Sequence, residues 1–126
     1  MEEVFLDLRG RGLTAEGTKE MFPQPDYFVA VIDGAAVPGK AELMAALSSA
    51  FGFPSYFGRN WDALLDCLRS LPLSLKPPRG YALVVLNSRS FLVSSEKDKE
   101  DFADVAAEAA AFLGEKEGLR LVVALL

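Results

Sequence analysis

The 126-residue chain contains no histidine and one cysteine, Cys67. The absence of histidine excludes Ser-His-Asp and Cys-His catalysis and removes the commonest general base near neutral pH. One cysteine without histidine leaves no ligand set for a structural zinc site, and it excludes an internal disulfide framework. These absences remove the commonest catalytic and zinc-binding groups. Taken with the rest of the sequence, we expect a protein that is not an enzyme, with no catalytic residues, no cofactor and no bound metal.

The sequence also lacks a long uninterrupted apolar run, although 51% of its residues are apolar. Because a membrane-spanning helix needs about 20 such residues, we expect no membrane segment. The start of the chain, Met1-Glu2-Glu3, is acidic and has neither the basic residues nor the apolar core of an export signal. Together with the single cysteine, these features predict a cytoplasmic protein.

Acidic residues outnumber basic residues, 18 to 13, giving a formal net charge of −5. The whole excess lies in residues 96–117, which hold eight acidic and three basic side chains, whereas the remainder is balanced. An acidic protein is poorly suited to bind a nucleic-acid backbone directly. It is better suited to a basic protein partner, although a charged run of this kind is also typical of a solvated helix face.

The apolar pattern predicts an α/β fold with a small, mainly parallel sheet packed with helices. Apolar runs at 27–32, at 81–86 and, interrupted only by Arg120, at 119–126 are typical of strands that are covered on both faces. Helical spacing of apolar residues follows Pro38-Gly39, Asn60 and Ser95. We expect residues 27–126 to form one domain, with residues 1–26 as an N-terminal extension that adds an edge strand near residues 4–8.

The segment from Pro54 to Leu68 holds the best candidates for function. Asn60 is suited to cap a helix in which Asp62 and Asp66 lie one turn apart, a spacing at which like charges repel slightly. Each side chain has an ordinary structural interpretation. The helix dipole favours Asp62, and Arg69 is a suitable ion-pair partner for Asp66. Trp61 fits the apolar stripe, and Cys67 fits a small buried apolar position, so the residues alone do not identify a function.

This segment resembles the signature of the barstar family, intracellular inhibitors of barnase-type microbial ribonucleases. The resemblance extends over about residues 27–126, because the order of predicted strands and helices also agrees. The matching positions are Pro54, Tyr56, Phe57, Gly58, Asn60, Asp62-Ala63-Leu64, Asp66, Cys67 and Leu68.

The resemblance implies a barstar-like layered fold and inhibition by charge mimicry, in a 1:1 complex with a basic ribonuclease of the secreted type. By position, Asp66 would occupy the phosphate site of the enzyme, and Asp62 would pair with a neighbouring basic group. Tyr56 would pack near the catalytic histidine of the enzyme. The loop would be shaped by Phe57, Gly58 and Asn60.

The chain departs from the family pattern at three interface positions. Arg59 replaces an acidic residue, Leu65 replaces a tryptophan, and a glutamate of the last helix falls on Leu113, with Glu108 or Glu115 as substitutes. These differences leave a second hypothesis open, an acidic module that binds another basic partner such as a toxin or a nucleic-acid-binding protein. An enzyme using Asp62 and Asp66 is disfavoured because both carboxylates face the same way. Self-association through the edge strand of the extension is a further alternative.

Overall fold

The computed structural model describes residues 4–126, and the predicted absence of an export signal at residues 1–3 lies outside them. Eight regular elements follow one another in these residues. The strands are β1 (Phe5–Asp7), β2 (Tyr27–Asp33), β3 (Gly80–Leu86) and β4 (Arg120–Leu125). The helices are α1 (Ala15–Lys19), α2 (Lys40–Phe51), α3 (Trp61–Arg69) and α4 (Glu96–Phe112).

The four strands form one sheet in the order β1-β4-β3-β2, and every neighbouring pair is parallel. Val84 in β3 lies opposite Val31 in β2 and Ala124 in β4, so apolar residues continue across the sheet at one level. The predicted α/β fold is confirmed, as is the edge strand supplied by the N-terminal extension. β3 and β4 are almost entirely buried, as their continuous apolar runs predicted.

Helices α2, α3 and α4 cover one face of the sheet, around a core that includes Tyr81, Leu83 and Val123. The opposite face is covered by the N-terminal extension, whose Leu8 and Phe22 pack with Tyr27, Ala82 and Val122. Alternate residues of β3 therefore point into two separate cores. The extension is thus a structural layer of the same fold as well as an added strand.

Some elements differ from the pattern in the sequence. Helix α1, which was not predicted from the sequence, forms because Thr14 caps it and accepts a hydrogen bond from the Gly17 amide at 3.0 Å. After β3 the chain makes one 3₁₀ turn, Ser88–Ser90. At its end, α4 continues as a π turn, Leu113–Glu117, and the helix ends at Gly118, which has a left-handed conformation.

None of the helices in residues 4–126 is long and apolar enough to cross a membrane.

Candidate protein-docking surface

The helix α3 begins sharply because Asn60 caps it. The Asn60 side-chain oxygen accepts a hydrogen bond from the Ala63 amide at 2.8 Å, satisfying one of the free donors of the first turn. Leu64 and Leu68 are buried in the main core, so the opposite side of this nine-residue helix faces solvent. The cap and the apolar stripe together fix which side chains α3 presents.

Asp62 and Asp66 lie on the solvent side of α3, and both are exposed. Neither carboxylate makes a hydrogen bond or an ion pair with any residue in the range 4–126. Two unpaired anionic groups one turn apart repel each other slightly and contribute no contact to the fold. The pair is therefore available to an external cationic group.

Arg69 does not neutralise Asp66, and the sequence-based pairing of these two residues is wrong. The Arg69 guanidinium instead lies 3.7 Å from Glu108 of α4 and packs over the Phe112 ring at 5.4 Å. The pairing follows from tertiary packing, because α4 lies directly against α3. It ties α3 to α4 and leaves Asp66 without a counter-ion among residues 4–126.

The loop of residues 54–60 presents one aromatic side chain and buries another. Phe57 is buried and packs edge-on against Phe53, with ring centroids 5.1 Å apart. The neighbouring Tyr56 is 86% exposed, an unusual position for a large aromatic side chain unless it contacts a partner. Phe57 thus anchors the loop in the core while Tyr56 projects from it. Gly58, also exposed, lies between this anchor and the Asn60 cap.

Leu65 and Trp61 are half-buried against the main core, as the apolar stripe of α3 predicted. The Lys40 ammonium lies 5.5 Å from the centre of the Trp61 ring, which is a cation–π contact between α2 and α3. Cys67 is also half-buried, and burial together with the charge of Asp66 raises the pKa of its thiol. These side chains pack α3 against the core, and Leu65 stays partly accessible beside Asp66.

The acidic residues of α4 form a row on its exposed face that ends beside α3. Four exposed carboxylates follow one another at intervals of four residues along α4, and we call them the acidic stripe: Glu96, Glu100, Asp104 and Glu108. The stripe reaches α3 at Glu108, through the contact with Arg69. Leu113 is fully buried and presents no side chain at the surface, whereas Glu115 is exposed in the π turn.

The docking surface, which we define as residues 54–60 together with Asp62, Leu65 and Asp66, is not a pocket. An open groove of about 680 Å³ elsewhere is lined by residues of α4 and β4 and by Val4, Tyr27 and Arg79, and it shares no residue with the docking surface. In the described range 4–126, no group of three or more Cys, Asp and Glu side chains is placed to hold a metal ion. The arrangement suits contact with another macromolecule.

Sequence reasoning missed two features of this region. Arg59 has a positive φ of 55°, which no composition or spacing signal indicated. Leu73, in the 3₁₀ turn Leu71–Leu73 that follows α3, is 89% exposed, an exposure that was not predicted from the sequence. Both depend on the local path of the chain.

The sheet is parallel and layered with helices, and α3 presents two carboxylates that are exposed and unpaired within residues 4–126. Residues 27–125 match the model of the family described as Barstar (barnase inhibitor). The chain belongs to the barstar family, which is a family of inhibitors. A comparison with curated proteins found no match.

Proposed function

We propose that this protein is a cytoplasmic inhibitor that forms a 1:1 complex with a basic, barnase-type ribonuclease. In this complex α3 and the loop of residues 54–60 enter the active-site cleft of the enzyme. Asp62 and Asp66 take the places of RNA phosphates and form charge-assisted hydrogen bonds with cationic side chains of the cleft. RNA is excluded because its binding site is occupied.

One observation carries the proposal. The carboxylates of Asp62 and Asp66 are exposed, one helical turn apart, and unpaired within residues 4–126, while the nearest arginine on the helix, Arg69, is committed to Glu108. Two neighbouring carboxylates bring no benefit to an isolated helix. They become favourable when a cationic surface faces them, since the repulsion between them is then offset.

The loop supports the same mode of binding. Tyr56 is the aromatic side chain that the loop places in solvent, and aromatic residues of this kind often anchor interfaces. Burial of Phe57 and the Asn60 cap hold the loop in one conformation, which reduces the entropy lost on binding. Leu65 adds apolar surface beside Asp66.

The acidic stripe on α4 supports rapid encounter with a basic enzyme. A concentrated negative field attracts a positively charged partner over a distance of about 10 Å at moderate ionic strength and is screened by salt. We therefore expect the association rate constant to fall as salt rises.

A quantitative inhibition assay tests the proposal. Wild-type protein is titrated against a barnase-type ribonuclease, and we expect inhibition that is complete at one equivalent and competitive with an active-site nucleotide. The double variant Asp62→Asn, Asp66→Asn should lose this inhibition.

A matched control is available on α4, where Glu100 and Asp104 are also exposed and spaced by four residues. The variant Glu100→Gln, Asp104→Asn changes the net charge equally and should alter only the association rate. Equal inhibition by the two double variants would contradict phosphate mimicry.

The departures at Arg59 and Leu113 favour a second candidate, a different basic partner bound by the same helix. A pull-down separates the two candidates. Wild-type protein is immobilised on beads and incubated with an extract of its source cells, and only the first candidate requires a ribonuclease among the captured proteins. Self-association through β1 remains a prediction, which sedimentation analysis of the isolated protein tests.

A further inference from the structure

Arg59 has a backbone conformation that the fold itself does not explain. Three non-glycine residues in the range 4–126 have positive φ: Arg59, Asn87 and Leu92. Asparagine tolerates this conformation, and the Asn87 side chain also donates a hydrogen bond to Asp33 at 2.9 Å. Leu92 is buried, so core packing offsets its strain. Arg59 has neither compensation.

The Arg59 side chain is exposed and makes no hydrogen bond or ion pair with residues 4–126. Glycine would adopt the same φ without the contact between Cβ and the backbone. Arg59 therefore makes no stabilising polar contact with residues 4–126, and its side chain is free to meet a partner.

Arg59 is also the one cationic residue of the docking surface as defined above. It immediately precedes the Asn60 cap and lies three residues before Asp62. A uniformly positive cleft would be repelled by a guanidinium at this point, since like charges that meet in an interface oppose binding strongly. A partner that covers Arg59 therefore binds more tightly when it offers a negative group at this point.

We propose that Arg59 is a specificity-determining residue that recognises an aspartate or glutamate on the rim of the partner ribonuclease. This inference rests on the proposed function and adds one requirement to it, a cationic cleft that has a carboxylate beside it. The planar guanidinium is suited to bidentate hydrogen bonding with such a carboxylate. Ribonucleases that are positive at the corresponding place on the rim would be rejected.

The test uses the 126-residue protein and a barnase-type ribonuclease that the wild type inhibits. In Arg59→Gly we expect the dissociation constant to rise about tenfold to a hundredfold, the effect of losing a charge-assisted hydrogen bond. Arg59→Glu should bind more weakly still. The control is Arg11→Gly, which removes the same charge from an exposed arginine in the N-terminal layer on the opposite side of the sheet. Its affinity should remain close to that of the wild type.

The melting temperature provides an independent readout, because relief of the positive φ predicts a value for Arg59→Gly equal to or above that of the wild type. A fall of about 5 °C or more would show that Arg59 supports the fold and would overturn the inference. Affinity that is unchanged or tighter in Arg59→Gly would also overturn it, while leaving the proposed function intact.

If the wild type inhibits no such ribonuclease, the proposed function fails and this inference fails with it. Changing an acidic rim residue of the ribonuclease to lysine should restore binding to Arg59→Glu and would support the proposal directly.

Discussion

Replacing Asp66 by asparagine separates the contribution of this side chain to folding from its contribution to binding. The folded protein loses no contact, because Asp66 is exposed and unpaired within residues 4–126. The substitution also removes the repulsion from Asp62, which at this helical spacing amounts to about 0.2–0.5 kcal/mol. We expect the free energy of unfolding to rise by that amount, and the melting temperature to rise by about 1–2 °C.

The expected effect on binding is opposite in sign and much larger. In the proposed complex the Asp66 carboxylate is withdrawn from water and faces cationic side chains of the enzyme. Removing one member of a buried ion pair leaves the other charge uncompensated and costs about 3–5 kcal/mol. The dissociation constant should therefore rise about a hundredfold to several thousandfold.

Urea unfolding followed by circular dichroism gives the free energy of unfolding, and inhibition of the ribonuclease gives the dissociation constant. Asp104→Asn serves as the control, because Asp104 is an exposed aspartate of α4 and its replacement changes the charge equally. A destabilisation of Asp66→Asn by more than about 1 kcal/mol would assign the residue a role in folding, and the reasoning above would then be wrong. An unchanged dissociation constant would refute phosphate mimicry by Asp66.

Two further predictions concern the support of the docking helix and the core behind it. Asn60→Ala removes the cap of α3 and should lower the free energy of unfolding by about 1 kcal/mol, whereas Asn60→Asp can still cap the helix and should lower it much less. Chemical denaturation measures both values, and equal losses in the two variants would contradict a capping role. Tyr81 is fully buried and its hydroxyl donates to the Leu75 carbonyl, so Tyr81→Phe should cost about 1 kcal/mol at pH 8. Burial, and secondarily the charge of Glu117, raise the pKa of Tyr81 to about 12 from 10.0. The neutral phenol is therefore favoured in the folded state, and this stabilisation is complete below pH 10 and lost as the pH rises toward 12. Urea midpoints measured between pH 8 and 12 should show the wild type losing its advantage over Tyr81→Phe, and a constant difference would contradict the assignment.

The side chains that α3 exposes could be predicted from the sequence, but the ion pairs that they form could not. The cap at Asn60 and the solvent-facing Asp62 and Asp66 follow from helical periodicity, which is a local property. The partner of Arg69 is Glu108, 39 positions away, and only the packing of α4 on α3 brings these two side chains together. The sequence favoured an ion pair between Arg69 and Asp66 because they lie close together on one helix. In the structure, Arg69 pairs with Glu108 instead.

The sequence by itself determined the alternation of strands and helices, the parallel sheet and the helix that carries the two aspartates, because periodicity, caps and apolar runs act over a few residues. Tertiary structure alone decided that the N-terminal extension covers the second face of the sheet, that Phe57 is buried while Tyr56 is exposed, and that Arg59 takes a positive φ. These outcomes depend on which surfaces meet when distant segments pack. The same long-range packing commits Arg69 to α4 and leaves the carboxylates of α3 available to a partner.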